Sequence, residues 1–154
     1  AARLPTVIIR PGPPNAAASG FASGVFREPL AGNEFVLPVG MGTKMMVLGT
    51  RNAVAGLIGL MDADGDALGG DRMVGLPNNA YSVAEMITAL EAVAADKGIS
   101  LGPITPRPDP GTETIVTSWP LVMDDARARA LGLPADENLE RVIGDYIEDF
   151  GTGQ

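Results

Sequence analysis

Apolar and polar positions alternate between two periods along this chain, and the switches between them mark its elements. TVII (6–9) is a short β-branched run, the pattern of a buried strand. It stops at RPGPPN (10–15), where three prolines in six residues forbid helix and push their neighbours towards extended backbone. Phe21, Val25 and Phe26 then share a face, predicting a helix from about Ser19 to Glu28 that Pro29 and Gly32 end. EFVLPV (34–39) and TKMMVL (43–48) read as extended segments around a GMG turn. A helix follows to about Met61, capped by Thr50 or Asn52, with Ala53, Leu57, Leu60 and Met61 inward. RMVGLP (72–77) is a second short strand.

Ser82-Val-Ala-Glu85 is a capping box. It opens a helix with Val83, Met86, Ile87, Leu90 and Val93 on one stripe, closed by Gly98 at the position that favours left-handed backbone. ISLGPIT (99–105) is extended and PRPDPG a loop, while ETIVTSW fits strand or helix equally. MDDARARALGL and ENLERVIGDYIEDF are two further helices. In the last one Leu139, Val142, Ile143, Tyr146 and Phe150 mark the inner side, and Glu140, Asp145, Glu148 and Asp149 a solvated face. Strands alternating with helices, without repeats or a dividing linker, predict an α/β fold in one unit spanning 1–154.

Composition narrows the chemistry. With 45% hydrophobic and 19% charged residues among 154, the chain is globular, and a self-sufficient domain of this size buries about 70% of its unfolded surface. Net charge is −8, from 19 acidic against 11 basic residues, which repels phosphate backbones and argues against nucleic acid. No apolar run approaches the roughly 20 residues of a membrane span, so no membrane partner is expected and the expected compartment is the cytoplasm. The absence of cysteine removes disulfides, thiol nucleophiles and cysteine-bound zinc. The absence of histidine removes Ser-His-Asp triads and histidine-bound metals. Proton transfer is left to Asp, Glu, Lys or Tyr, with two lysines and two tyrosines present.

The motifs are weighed against plain structural roles. DADGDALGGD (62–71) places Asp62, Asp64 and Asp66 at alternate positions, but Ala67 and Met73 stand where a calcium loop needs glycine and a bidentate glutamate. It reads as a surface turn, and no metal site is expected. GMGTKM has the wrong spacing for a phosphate loop. Gly20 and Gly24 in SGFASG signal close helix packing, and Arg127 and Arg129 beside Asp124 and Asp125 make a cap with surface ion pairs. Arg107 lies in a proline-stiffened loop after a strand, where α/β proteins place ligand groups. A guanidinium there is aimed at a carboxylate or phosphate, or is simply exposed.

Taken in order, the segments resemble the C-terminal half of an extended short-chain dehydrogenase/reductase, the NAD-dependent epimerase/dehydratase group. TVIIRPGPPN resembles the strand and loop after the Tyr-x-x-x-Lys helix of that family. GTKMMVLGTRNAVAGLIGLM resembles its T-R-D-x-x-H-V-D-D-V-A stretch, RMVGLPNNAYSVAEMITAL its Y-N-V-G-x-G…S-x-x-E-L strand and helix, and MDDARARALGLPADENLERVIGDYI its closing D-x-x-K-A-x-x-L-G-W-x-P…L-x-x-x-I pattern. Within the family, RPGPPNAAASGFASGVFREPLAG and IVTSWP resemble NAD-dependent members acting on small polyol acids. Two departures stand out. Pro13 occupies the usual asparagine position, so Asn15 is offered instead, and Leu48-Gly49-Thr50-Arg51 replaces His-Val-Asp-Asp, unlike the sugar-nucleotide epimerases.

The resemblance implies late strands of a Rossmann-type parallel sheet, with TVIIR and RMVGLP adjacent, plus a small substrate-binding lobe. It implies NAD as cofactor, with NADP open, and a hydroxy acid or sugar-derived substrate. Pro11 and Gly12 would wall the nicotinamide. Asn15, Ser19 and Ser23 would bind substrate hydroxyls, and Lys44 and Arg107 a carboxylate. The Tyr-x-x-x-Lys pair has no match: Tyr81 is followed four residues on by Glu85, and Tyr146 by Phe150. The dinucleotide-binding portion is therefore expected to lie outside this sequence, as a partner half of the same protein, with the parent a candidate homodimer and this chain alone inactive. Two other readings remain: half of a nucleotide-sugar epimerase/dehydratase, and an independent, non-catalytic α/β binding domain.

Overall fold

A computed structural model describes residues 1–13 and 17–152. Seven strands and seven α-helices follow in chain order among the described residues. The strands are β1 (Ala2–Arg3), β2 (Thr6–Ile8), β3 (Phe35–Leu37), β4 (Lys44–Gly49), β5 (Val74–Gly75), β6 (Asn79–Ser82) and β7 (Ile104–Pro106). The helices are α1 (Phe21–Leu30), α2 (Thr50–Asp62), α3 (Gly65–Leu68), α4 (Val83–Lys97), α5 (Pro110–Thr117), α6 (Ala126–Ala130) and α7 (Leu139–Phe150).

Three small sheets result. β1 pairs in parallel with β5, β3 in parallel with β7, and β4 sits between parallel β2 and antiparallel β6. The opening segment thus serves two sheets in succession, because Pro5 between β1 and β2 cannot donate to a ladder. This revises the expected adjacency. Thr6–Ile8 pairs with Val47–Gly49, and the partner of Val74–Gly75 is Ala2–Arg3 just upstream.

The main core gathers around α1, α4 and α7. Phe26, Leu90 and Ile143 are all fully buried there, beside Ile8, Met86 and Leu37. The capping box opens α4 as expected, with Ser82 Oγ accepting from the Glu85 N–H and the Glu85 carboxylate accepting from the Ser82 N–H. Gly98 closes it at φ 68°. A smaller core joins Leu48, Ala53, Val74, Leu76, Ala128 and Leu133 beneath α2 and α6.

Several elements depart from the pattern. A 3-10 turn at Ala18–Gly20 precedes α1, which runs through Pro29 to Leu30, with Gly32 at φ 78° just past its end. Proline forfeits one hydrogen bond in the last turn, and burial of Pro29 and Leu30 offsets it. Neither Thr50 nor Asn52 caps α2. Thr50 Oγ1 donates to the carbonyls of Ile8 and Ile9, and Asn52 Nδ2 donates to Asp136 at 2.7 Å. Of the residues expected inward on α2, Ala53 is buried and Leu60 half-buried, while Leu57 and Met61 face out. The small side turns in: a Cβ on Gly56 would stand 3.3 Å from Leu76 Cδ1.

ETIVTSW resolves as helix, with Asp109 capping α5 through the Thr112 N–H. On α7, Phe150 is exposed, and Asp145 is buried rather than solvated because Arg51 and Arg141 both bond to it. The aspartate-rich turn folds into α3, where Asp64 accepts from the Asp66 N–H. Gly24 packs tightly as SGFASG suggests, since a Cβ there would meet the Phe35 ring at 2.6 Å. No helix among the described residues is long and apolar enough to cross a membrane.

Candidate active-site cleft

A cleft of about 460 Å³ lies along β2, lined by Leu4, Pro5, Thr6 and Val7, by Met45 and Met46 of β4, and by Trp119 and Pro120. Its polar groups come from Arg10 and Ser19, with Thr6 on the strand. A second hollow of about 560 Å³ adjoins it, sharing Leu4, Met46 and Pro120 and reaching Arg3, Asp124 and Arg127. The first cleft is lined mostly by apolar side chains, with one cation and two hydroxyls among them, the make-up of a site for a small acid.

Local sequence explains this assembly. The β-branched strand delivers Arg10 at its end, and the proline-rich loop prevents the chain from continuing the ladder. The α5 helix ends at Thr117, and Trp119 then packs partly against the main core, leaving part of its ring for the cleft. No carboxylate pairs with the Arg10 guanidinium among the described residues, whereas Arg27, Arg51, Arg127, Arg129 and Arg141 all have acidic partners.

The expected site residues separate into three groups. Ser19 lines the cleft. Pro11 and Gly12 lie exposed just after Arg10 in the chain, with Gly12 at φ 94° and, among the described residues, nothing within 4 Å of where a Cβ would stand. That backbone is open to close approach by a flat ligand. Ser23, expected on a substrate hydroxyl, is 2% exposed and its Oγ accepts the Arg10 N–H at 3.1 Å. Ser23 is not among the residues that line the cleft, and its hydroxyl bonds the main chain of Arg10, which is. Lys44 and Arg107 are exposed and border neither hollow. Arg107 is tied by its N–H to the Leu37 carbonyl at the end of the β3–β7 pair, on another part of the lobe. Asn15 lies outside the described residues. Arg10 and Trp119 were missed, although Arg10 meets the same criterion that selected Arg107: a cation at a strand end before a proline-stiffened loop.

A second charged cluster sits away from the cleft. Arg51 bonds Asp145 at 2.5 Å, Asp149 at 2.8 Å and Glu148 at 3.2 Å, tying α2 to α7. Those carboxylates hold its guanidinium above the ordinary arginine value, the Asp149 hydrogen bond most of all. Asp136 accepts from the Gly49 N–H at 2.6 Å and from Asn52, and burial pushes its carboxyl up. These groups join elements and border neither of the two hollows above.

No protein-family model matches the chain. Its fold is that of a crystallised nucleoside-diphosphate-sugar epimerase from Agrobacterium tumefaciens, with TM-score 0.89 and 39% identity over 99% of this chain and 44% of that one. An L-threonine dehydrogenase from Cupriavidus necator shares the fold at TM-score 0.78 and 22% identity, over 96% of this chain and 46% of that one. With its parallel pairings, the chain thus has the fold shared by this epimerase and this dehydrogenase. It is 42% identical over 152 residues to the D-erythronate dehydrogenase of Cupriavidus necator, which covers 99% of this chain and 46% of that protein. The D-erythronate dehydrogenase of Haemophilus influenzae is 36% identical over 146 residues, 95% of this chain and 46% of its own length. The chain thus spans about half the length of the curated relatives it matches.

Proposed function

We propose that this chain is the substrate-binding, C-terminal portion of an NAD(P)-dependent oxidoreductase acting on a small hydroxy acid such as D-erythronate. One observation carries the reading: Arg10, free of acidic partners among the described residues, borders a mostly apolar cleft whose lining also includes Ser19 and Thr6. A guanidinium offers a carboxylate two parallel donors. The hydroxyls suit a polyol chain, and the Trp119, Met45 and Met46 side chains offer its carbons an apolar surface. The similarity to D-erythronate dehydrogenases supports the same substrate class.

When bound, a nicotinamide cofactor supplies the hydride acceptor. Pro11 and Gly12 would border its ring, and the exposed, left-handed backbone at Gly12 fits that use. Arg10 would orient the acid, Ser19 would bond a hydroxyl, and the apolar walls would keep the reacting carbon dry. The dinucleotide-binding portion and the proton-transferring tyrosine would come from the rest of the parent protein. The name of the Agrobacterium neighbour favours a second reading, a nucleotide-sugar epimerase, against which stands Leu48-Gly49-Thr50-Arg51 in place of His-Val-Asp-Asp.

The full-length parent, assayed for NADH formation with D-erythronate and related acids, is expected to be active. Arg10→Ala is expected to raise KM for the acid by about tenfold or more, since a charge-assisted hydrogen bond contributes about 1.5–3 kcal/mol. No reduction of NAD or NADP with any such acid would end this reading, and turnover of a nucleotide sugar would establish the second.

A further inference from the structure

We infer that Ser23 and Arg27 are positioning residues that grip the Arg10 main chain from both sides and so set where its guanidinium enters the cleft. The inference rests on the reading of that cleft as the acid-binding site. The Arg10 N–H donates to Ser23 Oγ at 3.1 Å, and Arg27 Nη1 donates to the Arg10 carbonyl at 3.2 Å. Ser23 and Arg27 are four residues apart on α1, so both project from one face of a single rigid helix. Neither borders the cleft itself.

Arg27 is fixed in turn. Its Nε and Nη2 donate to Glu28 Oε1 at 3.0 and 2.9 Å, and Glu28 Oε2 accepts from Asn33 Nδ2 at 3.3 Å. The Arg27 and Glu28 side chains retain only 14% and 21% exposure. Glu28 also balances the Arg27 charge, so a second cation can sit next to Arg10 without spoiling its field for an anion. Helix α1 is anchored through buried Phe21, Val25 and Phe26. Pro11 follows with a fixed φ, so an orientation imposed on Arg10 passes directly into the Pro11–Gly12 turn. Besides its ion pair with Glu28, Arg27 reaches out of its helix to a main-chain segment 17 residues away.

The test uses the full-length protein and the variants Ser23→Ala, Arg27→Ala and Arg27→Lys. Both alanine variants are expected to raise KM for the acid about tenfold while changing kcat less, the size of one misplaced charged contact. Arg27→Lys, which keeps a donor for the Arg10 carbonyl, should recover part of the loss. Amide hydrogen exchange, followed by mass spectrometry on the segment containing Arg10, should quicken in both alanine variants with the core helices unchanged. If the wild type reduces NAD with no acid, the functional reading falls, and the exchange measurement alone decides the grip. Unchanged KM and unchanged Arg10 exchange in both alanine variants, whatever happens to the melting temperature, would overturn it.

Discussion

Along α4, Val83, Met86, Leu90 and Val93 are buried against α1, α7 and the sheets, whereas along α2, Val54, Ile58 and Met61 remain 52%, 53% and 84% exposed and Leu57 faces out beside them. Both helices carry apolar residues three and four apart. The difference lies in what else secures each helix. α4 is fastened by its apolar stripe. α2 is fastened at its N-terminus by Thr50, Arg51 and Asn52, and by the small Ala53 and Gly56 beneath it. Polar pins and small residues suffice to dock a helix, which leaves its large apolar side unspent. Leu57 and Met61 of α2 line a hollow together with Ala1 and Ala2 at the start of the chain, and β1 and β2 each stand at the border of their sheet. In the proposed reading the dinucleotide-binding portion of the parent covers both, as an apolar surface of this kind invites.

The largest expected effect is on the α4 side. Leu90→Ala removes a fully buried side chain from the packed core and is expected to cost about 2–5 kcal/mol in urea unfolding. A loss below about 1 kcal/mol would mean that α4 is held chiefly by its caps and not by its stripe.

The contrast also marks what could be read in advance. The α4 helix was legible to its last residue, because capping box, stripe and Gly98 agree on one answer. So was the close approach at Gly24, where the spacing of small residues is itself the signal. On α2 the periodicity was visible but its direction was not. Gly56 and Ala53 reveal the inner side only once Leu76 is known to lie there. Strand pairing was partly legible: parallel order followed from the α/β alternation, while the switch of partners at Pro5 depended on two sheets meeting. Of the expected site residues Ser19 lines the cleft, while the strand-end arginine expected to hold a carboxylate was Arg107 and the one that lines the cleft is Arg10. Both stand before proline, and only tertiary structure brings Met45, Met46 and Trp119 to one of them. Asp145 looked like surface because its partner Arg51 is distant in sequence.

A middle-sized effect is expected on the α2 side, and it separates the two helices most sharply. The double variant Ile58→Gln, Met61→Gln should leave the stability of this chain within about 0.5 kcal/mol, as exposed substitutions usually do. When the chain is mixed with a separately produced dinucleotide-binding portion of the parent, the same variant should weaken reassociation about tenfold or more. Each buried aliphatic side chain contributes about 1.5–3 kcal/mol to such a contact. The chain alone should turn over no substrate, and the mixture should recover activity. Reassociation unaffected by the variant would show that α2 is an ordinary solvent face and that the shared border argument is wrong.

The smallest effect concerns the cap that fixes where α4 begins, and it is read through pH. The Ser82 hydroxyl, followed by the Ser82 N–H, holds the Glu85 carboxylate below its ordinary value, with Lys44 adding a weaker attraction. A carboxylate whose folded value lies below its unfolded value of about 4.3 stabilises the fold at all higher pH. That contribution disappears as pH falls through the folded value, because the unfolded chain takes up the proton first. Glu85→Gln keeps an oxygen for the Ser82 N–H but has no proton to gain. The variant should therefore melt slightly below the wild type at neutral pH, and the gap should close as pH drops below 4. Melting curves at several pH values measure this directly. A gap that widens towards acid would reverse the sign and show that the Glu85 carboxylate is more readily protonated in the folded chain than in the unfolded one.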